Sequence, residues 1–245
     1  MCIRDRLKLR PAGIGGSNPI PDGHVLPESP IDAIKAGQYT KVPVLAGNTR
    51  DEGKLFPGLL ALAPALGGIS GRLLTDEQAF SIAFAYDPDA PPATKLEQWI
   101  PAAYLPMDKP VTGYNARMDV LNNHWFKPLR DNVLNAIKTQ QDNVWYYSFD
   151  WDEEPPPFND IFGAAHAFDL PFVFGNFGPQ IWHNFMFTKA NRPGRLALSD
   201  AMMRSIGAFA RNGDPNDASL GVTWPQWPKT LVFDATPEAK VIRVP

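Results

Sequence analysis

The chain has 245 residues, a formal net charge of −3 and a hydrophobic content of 44%, which supports a sizeable core and excludes wholesale disorder. Its 23 basic and 26 acidic residues are spread along the sequence without a Lys/Arg-rich run, which excludes an obvious surface for nucleic acid or an anionic membrane. The single cysteine, Cys2, excludes an internal disulfide.

The N-terminal residues Met1–Arg10 lack the apolar stretch of a signal peptide. Their opening, MCIRDR, is similar to translated adapter sequence, so we interpret residues 1–10 as a non-native leader and expect residues 11–245 to belong to a single domain. The longest apolar stretch, residues 56–69, is interrupted by prolines and glycines and is shorter than the ~20 residues that a membrane-spanning helix requires. No membrane span is therefore predicted, and the sequence assigns no compartment.

The first predicted elements are a short helix and a strand. Residues 31–37 indicate one or two helical turns ended by Gly37. The apolar run Val42–Gly47 predicts a strand buried on both faces, as in a parallel sheet. A capping box at residues 75–78 then predicts the start of a helix that continues through the apolar segment Ala79–Tyr86.

Two further helices are predicted before the next strand. The first covers residues 94–104 and is disturbed by Pro101. The second covers residues 119–138, with Pro128 as a kink. Its apolar residues at helical spacing are Leu121, Trp125, Leu129 and Ile137.

The C-terminal half of the chain contains the clearest strand, Val144–Trp151, which is rich in aromatic residues. Residues 199–211 predict an amphipathic helix with Ser199 as its N-cap and Gly213 as its left-handed C-cap. Residues 231–233 predict a last short strand. Helical segments between buried strands indicate an α/β fold.

Chemically useful residues follow the two main strands. Asn48-Thr49-Arg50-Asp51-Glu52-Gly53 comes directly after the first, and the segment 162–169 with His166 follows the second after a loop. Open parallel sheets place their sites just beyond the carboxyl ends of the strands. A histidine that acts as a general base needs a carboxylate at its Nδ1. Asp51 and Glu52 are both candidates, and spacing alone does not separate adjacent carboxylates.

Several segments, in this order, resemble the type B carboxylesterase (cholinesterase-like) family. PVLAGNTRDEG at residues 43–53 is similar to its acid-bearing segment, and GAAHAFDLPFVFG at residues 163–175 to its histidine-bearing segment. Residues 17–47 resemble the approach to the acid, and FARNGDPN and WPQWP, at residues 209–216 and 224–228, resemble its C-terminal signature.

The resemblance implies the C-terminal half of an α/β-hydrolase fold, a mostly parallel sheet flanked by helices, truncated at its N-terminus. It places the acid of a catalytic triad on Glu52 rather than Asp51, and the base on His166. It implies a small-molecule carboxylic ester as substrate, hydrolysed through an acyl-enzyme, with no metal or organic cofactor. The missing N-terminal half of the same domain is the expected partner.

No serine of the chain matches the nucleophile motif G-x-S-x-G that the family and its fold require. Ser17 and Ser70 have a glycine two positions before but lack the one two positions after. The remaining serines depart further from the motif: Ser29, Ser81, Ser148, Ser199, Ser205 and Ser219. We therefore expect the nucleophile to lie in the missing half, and the chain alone to be inactive.

Other polar residues have simpler interpretations. Asp169 favours a structural hydrogen bond or a charge at a helix N-terminus over tuning of His166. The acidic run at residues 150–154 lacks the spacing of a calcium loop and predicts a solvated loop. We interpret three histidines as structural or exposed: His24, His124 and His183.

Two questions remain open from the sequence. Phe56, Phe162, Phe168 and the segment Leu59–Leu66 are equally compatible with a substrate pocket and with packing. The cholinesterase-like fold also includes non-catalytic adhesion proteins that have lost triad residues. Retention of both Glu52 and His166 argues for the enzyme.

Overall fold

In a computed structural model, the described residues are 22–25, 29–56, 89, 94–178 and 186–245. They form one four-stranded sheet in the order β1-β2-β3-β4, in which β1, β2 and β3 are parallel and β4 is antiparallel to β3. The strands are Val44–Thr49 (β1), Val144–Phe149 (β2), Leu231–Ala235 (β3) and Lys240–Arg243 (β4). The predicted α/β architecture with a mostly parallel sheet is confirmed; β4 was not predicted.

Helices flank this sheet. They are Pro30–Lys35 (α1), Tyr114–Leu121 (α2), Lys127–Lys138 (α3), Phe158–Ile161 (α4), Leu170–Phe174 (α5) and Arg192–Asn212 (α6). Short 3₁₀ turns are present at Glu52–Leu55, Leu96–Gln98, Ala102–Tyr104 and Ala218–Leu220. A π-helical turn, Asn122–Phe126, joins α2 to α3. In the part of the chain that the structure describes, no helix is both long and apolar enough to cross a membrane.

The pairing of β1 with β2 places the two chemically interesting loops side by side. The strands pair in register from Val44 opposite Val144 to Thr49 opposite Phe149, so both end at the same edge of the sheet. β2 is almost wholly buried, whereas Val44–Ala46 of β1 are half-buried and Gly47 is exposed. The prediction that the first strand is buried on both faces was wrong, because β1 is an edge strand of the described sheet.

An aromatic core fixes the segment that follows β2. The Phe172 ring, from α5, lies 4.9 Å from the Phe149 ring and 5.0 Å from the Trp151 ring, measured between centroids. All three side chains are fully buried. Because tilted and edge-on aromatic pairs add to the free energy of burial, this cluster anchors α5 against the carboxyl end of β2, directly after the loop that bears His166.

Two predicted helices differ from those observed. The helix expected over residues 94–104 is replaced by two separate 3₁₀ turns, because Pro101 lies between them and cannot donate a helical hydrogen bond. The last helix begins at Arg192, not at Ser199, whose buried hydroxyl donates to the Phe172 carbonyl at 2.8 Å. Gly213 is confirmed as its left-handed cap, with φ 73°. The helix predicted from residue 75 to 86 lies outside the described residues.

The π turn changes which residues face the core in the predicted helix 119–138. It inserts one residue, which rotates all later side chains by about 100°. Leu121 is buried before the turn, and Leu134 and Ile137 are buried after it, but Leu129 is 56% exposed. The predicted stripe was therefore wrong at Leu129. Pro128 follows the turn directly, at the start of α3.

Candidate active site

Glu52 begins the 3₁₀ turn that follows β1, and its side chain is only 7% exposed. One carboxylate oxygen, Oε1, accepts hydrogen bonds from the Thr49 backbone N–H at 2.9 Å and from the Asn48 side-chain amide at 3.1 Å. The other oxygen, Oε2, lies 2.5 Å from Nδ1 of His166. The turn therefore satisfies one oxygen locally and directs the other towards the histidine.

His166 lies in the loop between α4 and α5, and 46% of its side chain is exposed. Its ring centroid is 5.1 Å from that of Phe56 and 5.9 Å from that of Phe126. The backbone on either side is unusual, since Gly163 has φ 49° and Ala167 has φ 66°. Left-handed backbone is uncommon for a residue with a side chain, so the loop is held in a conformation that its neighbours must stabilise.

Asp51 holds this loop but does not contact His166. Its Oδ2 accepts hydrogen bonds from the Ala164 backbone N–H at 3.1 Å and from the Arg50 guanidinium at 2.9 Å. An added Cβ at Gly163 would lie 2.6 Å from the same oxygen. The two adjacent carboxylates thus point in different directions, and of the two only Glu52 contacts the imidazole.

The electrostatics of the pair favour opposite charges. Burial raises the pKa of Glu52, but hydrogen bonds from His166, Thr49 and Asn48 outweigh it, so the pKa is lower than its ordinary value. The hydrogen bond to Glu52 raises the pKa of His166, although partial burial opposes this. A carboxylate at Nδ1 also favours the tautomer with its proton there, leaving the Nε2 lone pair available as a base.

Asp169 makes a structural hydrogen bond rather than a contact with the His166 ring. Its Oδ2 accepts from the Tyr147 hydroxyl at 2.7 Å, and its side chain does not cap α5. Burial raises the pKa of Asp169, and the hydrogen bond from Tyr147 opposes that shift. The interpretation of Asp169 as a structural acceptor is therefore preferred over direct tuning of the base.

The acidic run after β2 is not the solvated loop that was predicted. Asp150 accepts from the Ser148 hydroxyl at 2.5 Å, and Asp152 pairs with Arg50 at 2.6 Å. Glu154 is 3% exposed, and burial raises its pKa well above the ordinary value. The run lies against the protein core because Phe149, at the end of β2, and Trp151 are both fully buried. Among the described residues, no group of three or more His, Cys, Asp or Glu side chains could hold a metal ion.

The aromatic candidates divide into two sets. Phe162 and Phe168 are buried in the core, at 0% and 2% exposure, so they serve packing. Phe56 is partly buried and lies against His166, so it contributes to the site. The segment Leu59–Leu66 and His183 lie outside the described residues. His24 and His124 are exposed, and the ring of His124 bonds only the Val120 carbonyl of its own helix, at 3.0 Å.

No serine in the described ranges is hydrogen-bonded to His166. Ser148 donates to Asp150, Ser199 to the Phe172 carbonyl and Ser205 to the Pro215 carbonyl. Within those ranges, the only hydrogen bond of the His166 ring is the one to Glu52. The face of the imidazole that a nucleophile would use has no serine partner in this part of the chain.

Two contacts of the site were missed from the sequence. Phe126 lies against His166, and Asn122 bonds the backbone of the turn that carries Glu52. Neither residue belongs to a motif. The only available signal was Pro128 within a helical pattern, which marks a local departure from the α-helix.

Comparisons with known proteins identify relatives of the chain. The chain is 28% identical over 230 residues to para-nitrobenzyl esterase of Bacillus subtilis, covering 89% of this chain and 39% of that protein. It is 27% identical over 223 residues to acetylcholinesterase 1 of Caenorhabditis elegans, covering 86% of this chain and 34% of that protein. The chain thus spans little more than a third of these relatives' length.

Solved structures give the same result for the fold. The carboxylesterase of Geobacillus stearothermophilus at pH 6.2 superposes with a TM-score of 0.58 and 27% identity, covering 98% of this chain and 46% of that one. A PNB esterase structure superposes with a TM-score of 0.56 and 26% identity. The fold is therefore that of the α/β-hydrolases. Residues 6–241 match the sequence profile described as the carboxylesterase family, and with nearly the whole chain matched, the protein belongs to that family.

Proposed function

We propose that this chain supplies the acid, Glu52, and the base, His166, of a serine hydrolase that cleaves carboxylic esters. One observation carries the proposal: Glu52 Oε2 lies 2.5 Å from His166 Nδ1 across 114 residues of sequence. A buried carboxylate at Nδ1 of a half-exposed imidazole is the arrangement that a catalytic base requires. The family supports ester hydrolysis in general.

In this mechanism, His166 takes the proton of an attacking serine through Nε2 while Glu52 holds Nδ1. The attack forms an acyl-enzyme, and His166 passes its proton to the leaving alcohol. His166 then activates a water molecule, which releases the acid. Glu52 stabilises the imidazolium that forms at each proton transfer, which agrees with the raised pKa of His166.

We further propose that the nucleophilic serine and the oxyanion donors come from an N-terminal half that precedes these residues in the complete protein. Two observations support this: the chain spans 39% and 34% of the two relatives above, and no serine among the described residues is hydrogen-bonded to His166. The substrate class is a small-molecule carboxylic ester. Glu52 and His166 require no cofactor for this chemistry.

The first test is the activity of the 245-residue chain itself with a p-nitrophenyl ester. We expect no turnover above background, because loss of the serine alone lowers kcat about 10⁶-fold in a serine protease. His166-dependent turnover by the isolated chain would show that its nucleophile lies within these residues. That result would overturn the proposed division between two halves.

The second test uses the protein extended upstream in its natural reading frame. We expect a G-x-S-x-G motif there, and loss of activity of about 10⁶-fold in His166→Gln and about 10⁴-fold in Glu52→Gln. His124→Gln is the matched control, since that histidine is exposed and bonds only its own helix. A replaced serine upstream, with an inactive extended protein, would instead support a non-catalytic adhesion protein.

A further inference from the structure

The helix that runs from Tyr114 to Lys138 is interrupted by one π-helical turn, Asn122–Phe126. The backbone stays helical through it, with φ and ψ of −57° and −47° at Asn122. Such turns are rare and are frequently found at functional sites. This one lies beside the Glu52–His166 pair.

The first residue of the turn bonds the loop that carries Glu52. Asn122 is 4% exposed. Its Oδ1 accepts from the Gly53 N–H at 2.8 Å, and its Nδ2 donates to the Arg50 carbonyl at 3.3 Å. These two bonds lie on either side of Glu52. The amide of Asn122 therefore fixes both ends of the segment that orients the carboxylate.

This loop packs directly on the helix. An added Cβ at Gly53 would lie 2.7 Å from the Met118 carbonyl oxygen and 3.0 Å from the Leu121 Cβ. Only a glycine allows the backbone to come this close. The short distance lets an asparagine, rather than a longer side chain, reach the Gly53 N–H and the Arg50 carbonyl at the same time.

The last residue of the turn contacts the histidine. The Phe126 ring centroid is 5.9 Å from that of His166 and 6.0 Å from that of Phe56, which itself packs on His166. Asn122 and Phe126 are four residues apart and so share one face of the helix. A single turn thus contacts the acid loop at one end and the base at the other.

We infer that the π turn Asn122–Phe126 braces the acid and the base against each other, and that Asn122 is a positioning residue that acts through Glu52. The inference rests on the proposed function, because the pair it positions is the proposed acid and base. Without the Asn122 amide, the Gly53 N–H and the Arg50 carbonyl lose their partner. The segment between them is then free to move Glu52 away from His166.

The pKa of His166 in the 245-residue chain, followed by NMR, tests this inference. The chain has four histidines, and a His166→Gln variant assigns the signal. Glu52→Gln should move the His166 pKa down towards its ordinary value of 6.5. Asn122→Ala should move it in the same direction by a smaller amount. Asn123→Ala is the matched control, because this exposed neighbour bonds only Lys127; it should cause no shift.

A merely structural role for Asn122 gives a different result. In that case Asn122→Ala would lower the melting temperature and leave the His166 pKa unchanged, which would overturn the inference. In the Glu52→Gln background, the effect of Asn122→Ala on the His166 pKa should disappear, since Asn122 acts through Glu52; a persistent shift would also overturn it. If Asn122→Ala does not fold, Asn122→Leu is measured in its place, because this near-isosteric variant removes the same two hydrogen bonds.

A different outcome of the same measurements would contradict the proposed function. If Glu52→Gln leaves the His166 pKa unchanged, the carboxylate and the imidazole are not coupled and the acid–base assignment is wrong. If Glu52→Gln lowers it but Asn122→Ala and Asn122→Leu do not, the pair stands and only the positioning role of the π turn is lost.

Discussion

Asp51 and Ala164 bond each other twice, in opposite directions. The Asp51 N–H donates to the Ala164 carbonyl at 2.9 Å, and the Ala164 N–H donates to the Asp51 carboxylate at 3.1 Å. This pairing ties the loop of the acid to the loop of the base through Asp51, directly before Glu52, and Ala164, two residues before His166. The Glu52–His166 contact is therefore supported by a second link between the two loops, which involves neither the Glu52 nor the His166 side chain.

Removal of the Asp51 carboxylate should destabilise the chain. Asp51→Ala leaves the Ala164 N–H without its acceptor, and we expect a loss of about 1–3 kcal/mol in the free energy of unfolding. Asp152→Ala is the matched control, because it removes an ion pair with the same Arg50 at 2.6 Å but no loop contact. As an exposed pair it should cost below about 1 kcal/mol. Equal losses in urea unfolding would contradict the role given to the Asp51–Ala164 pairing.

The Glu52–His166 pair should make stability depend on pH in a defined direction. The His166 pKa is raised in the folded state, so its contribution is complete below about the ordinary value of 6.5 and is lost as pH rises through the folded value. The Glu52 pKa is lowered, so its contribution is present above the ordinary 4.5 and is lost as pH falls through the folded value. The stabilisation by the pair is therefore greatest between these limits.

Urea unfolding of the wild type and of Glu52→Gln, at pH values on both sides of 6.5, measures this dependence. The difference in unfolding free energy between them should shrink as pH rises above that value. His124→Gln should keep the wild-type profile, since His124 contacts no carboxylate among the described residues. A difference that grows with pH would mean that the sign of the His166 shift is wrong.

Ala167 is expected to tolerate glycine and to reject a branched residue. Its φ of 66° destabilises a residue with a Cβ by roughly 1–2 kcal/mol. Glycine relieves this strain but destabilises the folded state by roughly 0.5–1 kcal/mol, because it loses more backbone entropy on folding. Ala167→Gly should therefore raise the free energy of unfolding by up to about 1.5 kcal/mol, and Ala167→Val should lower it. Val111→Gly is the control, with φ 68° at an exposed residue outside the loop that bears His166. A clear loss of stability in Ala167→Gly would show that the backbone there is not strained.

A side chain at Gly47 should displace Tyr147. The two residues are direct partners across β1 and β2, and an added Cβ at Gly47 would lie 2.1 Å from the Tyr147 ring. Gly47→Ala should cost about 1–3 kcal/mol for the overlap, and about 1–3 kcal/mol more if Asp169 loses its hydroxyl donor. Tyr147→Phe isolates the second effect, because it removes the hydroxyl and keeps the ring. If thermal melts show Gly47→Ala to be no worse than Tyr147→Phe, the overlap is relieved by a shift of the backbone.

Sequence patterns were informative where a residue's neighbours in the chain determine its environment. β2 was predicted from its aromatic and β-branched run, and the left-handed cap at Gly213 from its position before a proline. Sequence patterns failed where the environment of a residue depends on contacts with residues distant in the chain. Ser199 has the chemistry of an N-cap, yet it lies inside α6, where its hydroxyl donates to the distant Phe172 carbonyl. The exposure of β1 depends on which strand lies beside it, and no local pattern contains that information.

The site residues were also predicted only as far as local sequence allows. Spacing placed Asp51 and Glu52 together, and only the packing of the loop on Asn122 and Ala164 separates their directions. Leu129 moved to the surface because one inserted residue changed the phase of the helix. A π turn has no strong sequence signature apart from a nearby proline, so Asn122 and Phe126 were not identified.

The register of β1 against β2 also determines when the acid and the base can meet during folding. Val44 pairs with Val144, so a hundred-residue segment must close into a loop before the two strand ends lie together. The entropy lost on closure rises only slowly with loop length, but contacts between residues so distant in sequence slow folding. No locally folded segment can bring Glu52 to His166. The pair therefore reports on native long-range topology, and a chain with formed helices but an unpaired β1 contains both residues without the contact between them.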